Sequence, residues 1–156
     1  MQKEEFCPIP ETPELQWLAL SHVPGLGYRS IQEMLNAGKS VSELLQATPG
    51  GLVQDLGINS KVANKIASAS KTSTFAIEKR LIEESPETRL YCTESEAYPL
   101  QLKELNSSPS VLYWKGIEGL AGKPCLAFVG SRACSAYGLK HTKRLIIELA
   151  EVNRNL

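Results

Sequence analysis

Residues 126–138, LAFVGSRACSAYG, constrain this chain more than any other stretch. Four apolar residues, 126–129, give the short unbroken run of a buried strand. Gly130-Ser131-Arg132 follows at once, then a polar turn through Tyr137-Gly138, and helical spacing takes over from 139 to 151. A strand, a glycine turn and a helix in succession bring unpaired amides at a helix start up to whatever anion sits there. Gly130 lets backbone come close to such an anion. Ser131 offers a hydroxyl and an amide, and Arg132 a two-pronged guanidinium. Lys140 and Arg144 are an i, i+4 pair on the helix that follows, with Lys143 beside them. Tyr137 is suited to stack on a base or sugar, or to cover a sheet edge. The dinucleotide pattern G-x-G-x-x-G is absent, because the stretch holds only Gly130 and Gly138. Cys134, near the helix start, is placed either as a nucleophile or as a bystander.

Charge favours the same region. From Lys123 onward six bases face two acids, a net of +4, whereas the first 122 residues hold 11 bases and 15 acids, a net of −4. A solvated helix face would show the same bias. The four cysteines (7, 92, 125 and 134) are scattered, and only His22 and His141 accompany them, so neither a zinc site nor any other metal or cofactor is expected. No apolar run nears the ~20 residues of a membrane span. The N-terminus MQKEEFCPIPETPE lacks the form of a secretion signal. A cytoplasmic protein without a membrane partner is expected.

Before this stretch the pattern is helical. Residues 1–11 read as a tail. Thr12-Pro13-Glu14 opens a helix that runs to about His22. Val23-Pro24-Gly25-Leu26-Gly27 interrupts it, and helical spacing resumes from Tyr28 to a stop at Gly38. Ser40-Val41-Ser42-Glu43 is a capping box. Thr48-Pro49 opens a further helix ended by Gly57, and Ser60 caps a longer one to about Ile82. Residues 12–84 thus form a small helical domain. The interruption at 23–27 matches the hairpin of a helix-hairpin-helix unit, in which Gly25, Gly27 and Arg29 present amides and a charge to a phosphate; it equally suits a plain joint between packed helices.

Residues 88–156 alternate strand and helix: strands at 89–93, 111–114 and 126–129, a short helix after Tyr98-Pro99, and the helix 139–151. The fold class expected is α/β, a helical domain followed by part of a layer with a parallel sheet. Such a sheet is covered on both faces, yet only five residues follow the last helix. The expectation is a shortened chain, or one that completes its sheet with another chain.

The runs YPLQLKELNSSPSVLYWKG (98–116) and LAFVGSRACSAYG (126–138) resemble the DNA-processing protein A family, also called Smf. The helical domain resembles that family's N-terminal domain of sterile-alpha-motif type. The resemblance implies an extended Rossmann-like domain that binds single-stranded DNA and dimerises. It implies help in loading a RecA-type recombinase during natural transformation, and no catalytic residue. It places Gly130, Ser131 and Arg132 at the phosphate-facing turn, with Tyr137 and Gly138 at the next helix start. The family's Ser-Gly-x-Ala-x-Gly-Ile-Asp run has no counterpart here. Two alternatives stand beside single-strand binding: a nucleotide or phosphoribosyl hydrolase of related fold, and a protein-binding adaptor.

Overall fold

The computed structural model describes residues 10–117, 123 and 126–153. The expected tail at 1–9, most of the loop at 118–125, and Arg154 lie outside them. The chain divides into two compact units, one ending at Gly122 and the other beginning at Lys123.

The first unit is built around α1 (Pro13–Ser21). Thr12 caps it, its hydroxyl accepting from the Leu15 amide at 3.3 Å, and Pro13 takes the first helical position, where no amide bond is forfeited. Trp17, Leu18, Ala19 and Leu20 are all fully buried. Four consecutive buried residues cannot lie on one helical stripe, so α1 is enclosed on every side. Around it stand α2 (Tyr28–Asn36), α3 (Val41–Gln46), α4 (Pro49–Leu56), α5 (Ser60–Ala67) and α6 (Ser73–Glu83). The capping box forms as expected: Glu43 N donates to Ser40 Oγ and Ser40 N to Glu43 Oε2. The Ser40 amide and then its hydroxyl, both donating to Glu43 Oε2, hold that carboxyl below its ordinary pKa. Gly57 ends α4 at φ 64°.

One expected helix is two. The run from Ser60 to Ile82 breaks into α5, a 3-10 turn at Ala69–Lys71, and α6. The break falls in a serine- and threonine-rich stretch whose side chains compete for the backbone. Ser68 Oγ donates to Asn64 O, and Thr72 Oγ1 donates to Ala69 O while accepting from Phe75 N. The cap of α5 is Asn59, not Ser60.

Strands β1 (Thr88–Cys92) and β2 (Val111–Lys115) pair antiparallel, Thr88 opposite Lys115 and Cys92 opposite Val111. This corrects the expected parallel arrangement. A parallel return needs a crossover that carries the chain back along the sheet, usually a helix. Here α7 (Leu100–Lys103) is a single turn. The excursion between the strands closes on itself instead: buried Tyr98 donates its hydroxyl to Pro109 O at 2.7 Å and lies 2.8 Å from Ser108 Oγ. The hairpin packs on the helices. Cys92 is fully buried within the helical core, Leu90 and Val111 pack against that core, and Ser95 Oγ reaches Glu14 of α1 at 2.8 Å. The expected division near residues 85–87 is therefore displaced to 122/123, because one apolar core holds both the helices and the hairpin.

That shared core gives a direct expectation. A fragment of residues 10–84 uncovers the side of α1 that faces β1 and β2, and is expected to lose cooperative thermal unfolding. A fragment of residues 10–117 is expected to keep it. Equal melting of the two would show that the hairpin adds nothing to the core.

The expected third strand does not form. Residues 126–130 have no regular secondary structure, and among the described residues no strand pairs with them. Strand geometry is fixed by a hydrogen-bonded neighbour. The second unit is this segment and α8 (Ala136–Asn153).

Candidate nucleic-acid interface

Helix α8 begins three residues earlier than its apolar spacing suggests, because Ser135 caps it. Leu139 N donates to Ser135 O at 3.0 Å and Gly138 N to Ser135 Oγ at 3.1 Å. Tyr137 and Gly138 thus lie in the first helical turn, not in a loop before it. The amides of Ala136 and Tyr137 find no acceptor among the described residues. They are the orphan donors of the positive end of an 18-residue helix.

Against this helix start the segment before it forms an open groove of about 400 Å³. Phe128, Val129, Gly130 and Ser131 line one side; Cys134, Ser135, Gly138, Leu139 and Thr142 line the other. No carboxylate and no histidine is among them. Ser131 Oγ accepts from Ala133 N at 3.2 Å, which bends the chain from the segment toward α8. A Cβ built at Gly130 would meet nothing within 4 Å, and its φ is not positive. Nothing among the described residues therefore requires a glycine there.

The remaining expected residues scatter. With ~100° between successive residues of an α-helix, Ser135, Gly138, Leu139 and Thr142 form one stripe. Lys140, Arg144 and Tyr137 fall roughly opposite, and Lys143 lies between. Arg144 Nε is 3.4 Å from Glu148 Oε1, an i, i+4 pair. The exposed Tyr137 ring packs on His141, centroids 3.9 Å apart, and so covers no sheet edge. Arg132 has no acceptor among the described residues. The structure thus gathers Gly130, Ser131 and Gly138 at one groove, and turns Lys140 and Arg144 away from it. Sequence reasoning missed Ser135 and Thr142. A serine three residues before Gly138 is a capping signal, whereas Thr142 shows only as the next position of the groove stripe.

In the first unit, Pro24 and Gly25 (φ 88°) occupy the two central positions of a tight turn closed by Leu26 N to Val23 O at 3.0 Å. Only a residue at ease with positive φ fits after that proline. Leu26 is buried, and Gly27 precedes α2 without offering a side-chain cap. Arg29 Nε lies 3.4 Å from Glu33 on its own helix. Tyr28 of α2 sits by Tyr98 and Ser108, and its desolvation raises the phenol pKa. Among the described residues no cluster of metal-binding side chains occurs, and no helix is long and apolar enough to cross a membrane.

Residues 89–155 match the profile of a protein family described as DNA recombination-mediator protein A. Over that span, less than half of the chain, it is similar to this DNA-processing family. Over 51 residues it is 41% identical to the DNA processing protein DprA of Streptococcus pneumoniae (strain ATCC BAA-255 / R6). That match takes in 33% of this chain and 18% of the relative, so the similarity spans less than a fifth of the pneumococcal protein. No solved structure matches. The family match starts in β1 and runs through α8, so it includes both the Tyr98 closure and the groove.

Proposed function

We propose that the groove between residues 128–131 and the start of α8 holds phosphates of single-stranded DNA, and that the chain acts in DNA uptake and recombination as a binding protein, not an enzyme. What carries this is a groove that joins an unobstructed glycine to the first turn of α8. Among the described residues the Ala136 and Tyr137 amides at that helix N-terminus have no acceptor, and a Cβ at Gly130 would meet nothing within 4 Å. Arg132, in the turn before α8, has no ion pair among the described residues and can bridge to a phosphate oxygen. Two offered groups are already engaged: the Gly138 amide by Ser135 and the Ser131 hydroxyl by Ala133. The Ser131 hydroxyl keeps a hydrogen to donate outward.

Hydrolysis of a nucleotide would need an acid or base at the phosphate. Among the described residues the groove lining has neither a carboxylate nor a histidine, and Glu148 sits 12 residues beyond Ala136, ~18 Å along the helix. Binding without turnover therefore suits these residues better. A cytoplasmic setting, a RecA-type recombinase as the recipient of the strand, and dimerisation of the full-length family protein belong to the same proposal. The turn at Gly25 and Gly27 is a secondary contact in it, weaker because Arg29 already pairs with Glu33.

Phosphate contacts carry no base information. Fluorescently labelled oligothymidine and a mixed-sequence oligonucleotide of equal length are expected to bind within about threefold of each other. Affinity for both is expected to drop on raising the salt. Binding that tracks base identity, or that ignores salt, would contradict phosphate capture.

A further inference from the structure

A second cavity, in the first unit, has no part in the groove. It encloses about 330 Å³ and is lined by Glu78, Leu81 and Ile82 of α6, Ser85, Thr88 and Tyr113. Cavities of this size with apolar walls and a few converging polar groups are the usual form of a binding site. Here the polar group is a carboxylate whose two oxygens differ. Tyr113 donates its hydroxyl to Glu78 Oε2, and His22 Nε2 lies 3.1 Å from that oxygen without forming an aligned hydrogen bond. Oε1 takes no donor from any described residue. The Glu78 side chain is 30% exposed.

The nearby cations are engaged elsewhere. Lys79 sits with Glu11 and Glu83, Arg80 with Glu84, and Lys115 with Glu87. Among the described residues no lysine or arginine reaches Glu78. The pocket is therefore an aliphatic slot, walled by Leu81 and Ile82, with a negative end that holds one free acceptor and a rim of hydroxyls. A guanidinium on an aliphatic stem matches each of these elements: methylenes for the walls, a planar fork of donors for the carboxylate and hydroxyls.

The surroundings favour a protein as its source. Ile77 and Leu81, one turn apart on α6, are 59% and 55% exposed, and Tyr113 is 51% exposed. This apolar collar extends past what a free amine would cover. The net charge of −4 over the first 122 residues would draw in a basic partner. We propose that this pocket docks an arginine side chain presented by an apolar-flanked segment of a partner protein.

The test titrates the isotope-labelled full chain with capped leucyl-arginyl-leucine, with the same peptide carrying neutral citrulline, and with spermidine. Saturable amide shifts are expected within residues 77–88 and 111–115 for the arginine peptide. The citrulline peptide is expected to bind about tenfold more weakly, the value of one charge-assisted contact. Glu78→Gln, which keeps an acceptor for Tyr113, should weaken the arginine peptide to a similar degree. Leu81→Ser, at an exposed position, should weaken it severalfold while leaving the melting curve in place, and so gives a reading even if Glu78→Gln unfolds. Equal binding of the citrulline peptide, spermidine binding as tightly as the arginine peptide, or shifts confined to other residues would each overturn the proposal. DNA binding by the second unit is read separately and does not bear on this result.

Discussion

Replacing Trp17 by alanine is expected to cost the first unit about 3–5 kcal/mol, the range for deleting a large aromatic from a closed core. Trp17 is fully buried on a helix whose next three residues are also buried. The hole would open amid Leu18, Leu44, Ile66 and their neighbours in one core, where little backbone is free to collapse. A domain of this size has only about 5–15 kcal/mol of total stability, so the variant should sit close to unfolding at room temperature. Trp17→Phe should behave differently. The buried indole Nε1 has no acceptor among the described residues, and an unsatisfied buried donor costs about 1–3 kcal/mol. Phenylalanine removes that donor and leaves a smaller cavity, so its loss should be less than half that of alanine. Denaturant melts check both: the midpoint should move while the slope stays fixed. An alanine variant within about 1 kcal/mol of the parent would mean that α1 is not the centre of the core.

The contrast between α1 and α8 explains what the sequence revealed. Helix starts were legible because they are local. Thr12, Ser40 and Thr48 each sit three residues before the amide they cap, and Gly57 stops α4 by its own φ. Strands expected at 89–93 and 111–114 form within a residue of those bounds for a similar reason, as short β-branched and aromatic runs between turns. Their direction was not legible. Whether two strands run parallel depends on the path between them, and that path is set by Tyr98 reaching Pro109, 11 residues away. The unit boundary was hidden likewise. A composition change at Ser85-Pro86-Glu87 marks a turn, but the core passes beneath it through Cys92.

At the groove, Gly130, Ser131 and Gly138 came from the sequence because a glycine turn before a helix has a recognisable spacing. The basic residues on α8 misled. Lys140 and Arg144 lie near the turn in sequence, yet helical rotation carries them roughly opposite its stripe. Positive charge near an anion site in the chain is not positive charge facing it. The residue that separates these cases is Arg132, which precedes the helix and is not carried round by it.

Arg132→Ala should therefore weaken binding of single-stranded DNA more than Lys140→Ala or Arg144→Ala. One charged hydrogen-bonded contact is worth about 1.5–3 kcal/mol, a loss of roughly ten- to hundredfold. The two helix variants should stay within about threefold of the parent, as peripheral screened charges do. All three positions are exposed, so thermal melts should be unchanged and the effect is one of binding alone.

The most direct measurement is the salt slope of oligothymidine binding for the parent chain and for Arg132→Ala. Each phosphate released from a protein cation flattens the plot of log affinity against log salt by about 0.7 for a single strand. A slope shallower by about that amount in Arg132→Ala, with parent-like slopes when oligothymidines of differing flanking sequence are compared, is the expected result. An Arg132→Ala chain that binds with the parent's affinity and the parent's slope would contradict a phosphate site at this groove.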